Sequence, residues 1–153
     1  MNDTGCLARS SNVFGLELYR RLKARAGNLV LSPASITTVL AMAWGGARGT
    51  TADRMREVLH FDGPPSSVMQ AWGRLVAELR DADQPVVFRI ANRLFGDQVC
   101  HFEPAFVDAM QAAYGAVLEP LDFKDDPEAA RVRINDWVLE ETKQRIRDLV
   151  PPV

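Results

Sequence analysis

The stretch NLVLSPASITTVLAMAWGGARGTTADRM, residues 28–55, carries the strongest structural pattern in the sequence. Its first five residues form a short apolar run that predicts a buried strand. Ser32 and Pro33 then form a favourable helix start, because proline lacks only an N–H group that would have no partner there. The helix from Pro33 to Trp44 is apolar on almost every face, so we expect neighbouring elements to cover it on all sides.

The end of the same stretch predicts a second helix. Gly45 and Gly46 stop the first helix, and Thr50 with Asp53 has the spacing of a capping box. The letters GGARGTT resemble a phosphate-binding loop, but they lack its lysine and follow a helix rather than a strand. We therefore interpret them as a turn between two helices.

Four further helices are predicted from apolar residues at helical spacing. They begin at or near Asn12, Ser66, Pro104 and Pro127. The first of them leaves residues 1–11 as a disordered or flexible tail. The third ends at Gly115, and the last runs to about Val150 with Asp126 as its cap.

Two further strands are predicted downstream. PVVFRIANRLF, residues 85–95, has apolar side chains on both faces, which is typical of a covered sheet. AVLEPLDF, residues 116–123, contains Pro120 and is predicted as an edge strand or a bulge. Three strands form too small a sheet to cover the helix that starts at Pro33. The sequence therefore predicts an incomplete α+β fold, with more strands expected beyond Val153.

Composition excludes several classes of protein. The chain has 153 residues, of which 47% are hydrophobic and 25% charged, as in one ordinary globular domain and unlike disordered, collagenous or coiled-coil chains. A formal net charge of −2 argues against a nucleic-acid partner. No apolar run reaches the roughly 18 residues of a membrane span, and the start MNDTGCLARSSN has no signal-peptide core. We expect a cytoplasmic protein without a membrane partner.

The sequence contains no recognisable catalytic or metal-binding constellation. Cys6 and Cys100 are far apart and are expected as free thiols, with one long-range disulfide as the alternative. His60 and His101 have no metal-ligand spacing. Adjacent side chains such as Cys100 and His101 usually point apart, so they make a poor dyad. A serine and a histidine that meet only in space are the remaining catalytic alternative. We predict no enzyme activity, no metal and no cofactor.

Five segments, in this order, resemble the serpin family from about Asn12 to Leu149. NVFGLELYRRL resembles the family's first helix, and the 28–55 stretch resembles its N-x-x-x-S-P-x-S-I segment running on to G-A-x-G-x-T. VFRIANRLFGD resembles the A-N-x-L-F strand. FVDAMQAAYGAVLEPLDF resembles the helix and strand with the Y-x-A…D/N-F pattern. INDWVLEETKQRIRDLV resembles the helix that lies across the main sheet. Residues 12–153 are thus similar to the N-terminal portion of a serpin domain.

The resemblance implies a metastable inhibitor whose partner is a serine or cysteine protease. In this family the protease cleaves an exposed reactive-centre loop, which inserts as a strand into the main sheet and carries the acylated protease with it. The strands part first at the shutter. The resemblance assigns to this structural switch two serines, two asparagines and a threonine: Asn28, Ser32, Ser35, Asn135 and Thr142. Two serines at the end of an apolar helix agree with this, because each costs about 1–3 kcal/mol when buried without a partner.

The resemblance covers only the first part of the family's fold. The reactive-centre loop, its hinge, the strands that receive it and most of the second sheet lie C-terminal to Val153 in family order. This chain alone is therefore expected not to trap a protease, and the missing C-terminal half of the fold is an expected partner. A non-inhibitory serpin-like binding or structural protein, or an inactive truncated fragment, is the alternative.

Some serpins bind heparin on the helix that corresponds to residues 66–80. Here that region offers two arginines against two acidic residues, Arg74 and Arg80 against Glu78 and Asp81. We therefore predict no heparin site. The family is often extracellular, whereas this sequence carries no visible export signal.

Overall fold

The computed structural model describes residues 3–24, 26–79 and 92–152. Within these ranges lie six α-helices and two β-strands, so the predicted α+β class is confirmed. In chain order they are α1 (Asp3–Leu22), α2 (Pro33–Gly46), α3 (Gly49–Val58), α4 (Pro65–Leu79), β1 (Leu94–Asp97), α5 (Pro104–Tyr114), β2 (Leu118–Leu121) and α6 (Pro127–Glu141).

Helix α2 lies at the centre of a helical bundle. It packs against α1, α3, α4 and α5, and its residues Ala41, Met42 and Trp44 are buried. The indole N–H of Trp44 donates to the carbonyl oxygen of Ala52 at 2.8 Å, which ties α3 to α2. Val39 remains exposed, so the bundle covers most faces of this apolar helix but not all of them.

Two apolar clusters hold the bundle together. The larger is formed by α1, α2, α4 and the turn after α3, and it contains the fully buried Trp72. The smaller contains three methionines from three helices: Met42, Met69 and Met110. Helices α4 and α5 approach closely at Gly73, where a Cβ atom would lie 2.3 Å from the carbonyl oxygen of Ala113. A side chain at this position would force the two helices apart.

Strands β1 and β2 form a parallel pair joined by α5. Leu94 pairs with Leu118, and Gly96 pairs with Pro120. The strand predicted at 116–123 is therefore confirmed over its central residues. Of the strand predicted at 85–95, only the last two residues fall within β1, and residues 85–91 lie outside the described ranges.

The strand predicted at residues 28–32 is wrong. This segment has no regular structure, and Val30 is 94% exposed. An isolated strand has no partner for its backbone N–H and C=O groups, and no strand among the described residues lies beside it.

The predicted start of the first helix is also wrong. Helix α1 begins at Asp3 rather than Asn12, so residues 3–11 are helical instead of a flexible tail. Tertiary contacts explain the extension. Leu7 is buried in the larger apolar cluster, and the Ser10 hydroxyl donates to the carbonyl oxygens of Cys6 and His60 at 3.1 and 2.7 Å.

Two other predicted helix boundaries need correction. Helix α6 ends at Glu141 rather than near Val150, because Lys143 and Gln144 adopt positive φ angles of 51° and 62°. Helix α3 begins at Gly49 without a side-chain cap, so the predicted capping box at Thr50 does not form. By contrast, Gly115 ends α5 in the left-handed conformation, as predicted.

Candidate functional site

The predicted switch residues at the start of α2 form a small hydrogen-bonded group. Ser32 is the N-cap, and its hydroxyl oxygen accepts from the backbone N–H of Ser35 at 3.3 Å. The Ser35 hydroxyl donates to Oδ1 of Asn92 at 3.3 Å. Asn92 lies two residues before β1, so this contact joins the start of α2 to the chain that enters the sheet.

Asn28 does not join this group. It lies exposed in the irregular segment before α2. The amide Nδ2 of Asn92 is buried and has no hydrogen-bond partner. The contact between the start of α2 and the segment before β1 is therefore made by Ser35 and Asn92, and Asn92 was not among the residues predicted for the switch.

The predicted switch residues of α6 bind the chain that follows this helix. Asn135 is 8% exposed, and its amide Nδ2 donates to the carbonyl oxygen of Val150 at 2.9 Å. The backbone N–H of Val150 donates back to Oδ1 of Asn135, also at 2.9 Å. The Thr142 hydroxyl donates to the carbonyl oxygen of Val138 at 2.7 Å and accepts from the N–H of Ile146 at 3.1 Å. Residues 142–150, the return segment, are thereby held against α6.

The two groups of predicted switch residues are separate. In the part of the chain that the structure describes, hydrogen bonds join Ser35 to Asn92 and Asn135 to Val150, and none joins the start of α2 to α6.

A further cluster, which the sequence did not reveal, connects α6 to the sheet. We call it the Glu119 cluster, and it consists of Arg93, Phe95, Glu119, Arg133 and Trp137. Glu119 accepts two hydrogen bonds from Arg133, at 2.5 and 3.0 Å, and lies 3.1 Å from a guanidinium nitrogen of Arg93. The guanidinium of Arg93 lies 5.7 Å from the ring centres of both Phe95 and Trp137. The strand register pairs Phe95 with Glu119, and the packing of α6 adds Arg133 and Trp137, so local sequence patterns contain no signal for this cluster.

A cavity of about 290 Å³ lies between α2, α4 and α5. Thr38, Asn92 and Tyr114 contribute to its lining. The Tyr114 hydroxyl is buried without a hydrogen-bond partner, and burial raises the pKa of Tyr114 above its ordinary value. Tyr114 therefore keeps its proton to a higher pH than an exposed tyrosine does.

Thiols, metal-ligand groups, apolar helices and charged helix faces are further features that can mark a site. Cys6 and Cys100 are free thiols. No group of three or more metal-ligating side chains occurs within residues 3–24, 26–79 and 92–152. No described helix is long and apolar enough to cross a membrane. Of the four charged residues weighed for heparin, Arg74 and Glu78 are exposed on α4, and Arg80 and Asp81 lie outside the described residues.

Comparison with known proteins gives consistent matches. A family model described as serpin (serine protease inhibitor) matches residues 9–153. Leukocyte elastase inhibitor from Sus scrofa is 38% identical over 146 residues, which are 94% of this chain and 38% of that protein. Serpin B6 from Macaca fascicularis is 38% identical over 149 residues, or 95% of this chain and 40% of that protein.

The fold also matches solved structures. The cleaved serpin 42Da superposes with a TM-score of 0.86 at 28% identity, covering 97% of this chain and 40% of that one. The chain thus spans about two fifths of the length of the proteins it matches.

Proposed function

The chain belongs to the serpin family, and we propose from this that it is the N-terminal portion of a serine protease inhibitor that acts by loop insertion. The family match over residues 9–153, with leukocyte elastase inhibitor among the relatives, carries the proposal. The partner is a serine protease, or a cysteine protease, and its identity depends on the reactive-centre loop. In family order that loop lies C-terminal to Val153, so inhibition is proposed for the whole protein.

In this proposal the described residues supply the scaffold on which the sheet opens. By its resemblance to the family, α2 corresponds to the helix beneath the main sheet and α6 to the helix that lies across it. Neither element carries out a catalytic step, so we propose no enzyme activity of the protein's own. The two free thiols suit a reducing compartment, and we propose the cytoplasm.

The proposed switch has two parts. At the start of α2, Ser32 caps the helix N-terminus and Ser35 binds Asn92, so the hydrogen bond between Ser35 and Asn92 ties this helix to the segment that leads into β1. Asn28 belongs to this part by resemblance alone. On α6, Asn135 binds the return segment, and Thr142, the first residue of that segment, donates back to Val138 of the helix. Loop insertion requires the covering helix to move, and these residues determine whether it moves together with that segment.

Complex formation with a protease tests the proposal. The protein isolated from its source is weighed intact and mixed with active-site-titrated trypsin, chymotrypsin and elastase. We expect at least one of them to give a covalent complex that survives boiling in detergent, because the acyl bond stays trapped. The matched control is the same protease with its active serine blocked, which forms no acyl bond and therefore no such complex.

Cleavage without any trapped complex would contradict inhibition. It would favour the alternative, a non-inhibitory serpin-like binding or structural protein or an inactive truncated fragment. An intact mass equal to that of the 153 residues would favour the fragment.

A further inference from the structure

We propose that α6 and the return segment form one body, and that the Glu119 cluster is the latch that fastens this body to the β1–β2 sheet. When the latch opens, the body lifts as a unit while the bundle of α1–α5 stays folded. The existence of the latch does not depend on the proposed function. Only its purpose, which is to control how readily the covering helix leaves the sheet, rests on the proposed function.

The body is held together by contacts within itself. Asn135 pairs with both backbone polar groups of Val150, and Arg131 adds a third hydrogen bond to the Val150 carbonyl oxygen at 3.3 Å. Near the helix end, the N–H of Gln144 donates to the carbonyl oxygen of Leu139 at 2.7 Å. Since Asn135 is almost fully buried by this arrangement, the return segment is part of the packing of α6.

Among the described residues, an ion pair and a ring contact attach this body to the sheet. The Glu119 side chain on β2 is 19% exposed and receives Arg133 from α6 through two hydrogen bonds. Trp137 lies edge-to-face on Phe95 of β1, with ring centres 5.7 Å apart. No residue of α6 belongs to either apolar cluster of the bundle.

The charges make Glu119 the central residue of the latch. One carboxylate lies between two guanidinium groups, those of Arg93 and Arg133. Neutralising the carboxylate removes the attraction and leaves two cations facing each other, whereas removing Arg133 leaves Glu119 still paired with Arg93. Loss of one partner from a partly buried ion cluster is far more disruptive than loss of an exposed pair. Glu119 is therefore expected to be the most sensitive position.

Separation of the α6 body from the sheet can be detected by amide hydrogen exchange. An isolated helix of 15 residues, the length of α6, is marginally stable in water. Once the body lifts, the backbone hydrogen bonds of α6 fray and their amides exchange with solvent. Amide hydrogen exchange of residues 130–141 therefore reports how often the latch opens.

The test compares three variants of the purified protein by hydrogen exchange. In Glu119→Gln we expect residues 130–141 to exchange at least thirtyfold faster, while amides of α2 change less than twofold. Arg133→Gln is expected to act in the same direction and keeps the remaining charges paired, which makes it the safer variant if Glu119→Gln folds poorly. Both should speed exchange in α6 and the return segment together.

Glu128→Gln is the matched control. Glu128 also makes two hydrogen bonds to an arginine, Arg131, at 2.8 and 2.6 Å, but both residues lie on α6 and Glu128 is 63% exposed. It cannot fasten α6 to the sheet, so its effect should stay below fivefold, within what loss of an acidic residue from the first helical turn produces.

Three results would overturn the latch: unchanged α6 exchange in Glu119→Gln and Arg133→Gln, equal acceleration in Glu128→Gln, or equal acceleration of α2, which would mean global unfolding. Hydrogen exchange tests the latch and the protease-complex assay tests the proposed function, so either claim can be wrong while the other holds. A protein that traps no protease but shows the exchange pattern keeps the latch and loses the proposed function.

Discussion

The bundle of α1–α5 and the body formed by α6 with its return segment differ in how much they depend on apolar burial and on directed polar contacts. The bundle is joined by buried apolar side chains, with Trp72 and Met42 fully buried. The α6 body also buries Ala130 and Val138, but directed polar contacts connect it to the return segment at Asn135 and to the sheet at Glu119. Apolar burial is non-directional and spreads its contribution over many contacts, whereas each polar contact depends on a few atoms. The bundle should therefore unfold as a whole, whereas the α6 body should separate from the sheet in a local opening when one of these polar contacts is lost.

The largest loss of stability is expected from a substitution in the bundle. Trp72→Ala removes a fully buried ring from the larger apolar cluster and should lower the free energy of unfolding by about 3–5 kcal/mol. Chemical denaturation measures it, with Trp72→Phe as the milder control because most of the volume is kept. A loss below about 1 kcal/mol would mean that the bundle does not depend on its apolar core.

The next largest loss of stability is expected from a substitution in the α6 body. Asn135→Ala removes both hydrogen bonds to Val150 and should destabilise the return segment by about 1–3 kcal/mol. Limited proteolysis should cut between residues 142 and 152 several times faster, while the denaturation midpoint reported by bundle tryptophans hardly changes. A matched loss of bundle stability would show that the two regions unfold together.

The two helix N-caps at Asp126 and Ser32 should contribute about equally to stability, one in each region. Asp126 accepts from the N–H of Ala129 at 3.0 Å, and Ser32 accepts from the N–H of Ser35 at 3.3 Å. Replacing either with alanine should cost about 1 kcal/mol. The two variants should differ in which region loses stability. Ser32→Ala should lower the global free energy of unfolding, whereas Asp126→Ala should raise the rate of hydrogen exchange in α6 only.

The smallest effect at neutral pH is expected at Tyr114. Tyr114→Phe removes a buried hydroxyl that has no hydrogen-bond partner, so stability should change by less than about 1 kcal/mol, in the favourable direction. Because burial raises the pKa of Tyr114, the folded state holds this proton more tightly than the unfolded state. Wild-type stability should therefore fall as pH rises above about 10.

The phenylalanine variant should lose less stability than wild type over that alkaline range, as measured by urea denaturation at several pH values. Equal losses in the two proteins would show that the Tyr114 hydroxyl does not respond to burial in this way.

Sequence reasoning succeeded where local chemistry decides the structure. Ser32 with Pro33 and Asp126 with Pro127 mark helix starts, and Gly115 marks a helix end, because caps depend on neighbours within a few residues. The same reasoning failed at the start of α1 and the end of α6. The start of α1 depends on a distant partner, the carbonyl oxygen of His60. Helix α6 ends where Lys143 and Gln144 adopt positive φ angles, which no sequence pattern there indicates.

The candidate site could be predicted only in part. Ser32, Ser35, Asn135 and Thr142 were identified by resemblance, and each takes part in a hydrogen bond. Their partners Asn92 and Val150 were not predicted, because only the tertiary packing brings them into contact with these residues. The Glu119 cluster was missed entirely, because its charges lie on three elements and no spacing along the chain connects them.

Hydrogen exchange of the unmodified protein, followed at increasing urea concentrations below the unfolding transition, tests the difference between the two regions most directly. We predict that amides of residues 130–141 exchange through a local opening, with a shallow dependence on urea, and that amides of α2 exchange only through global unfolding, with a steep one. A single exchange rate and one common urea dependence for α2 and α6 would show one cooperative unit and contradict the account.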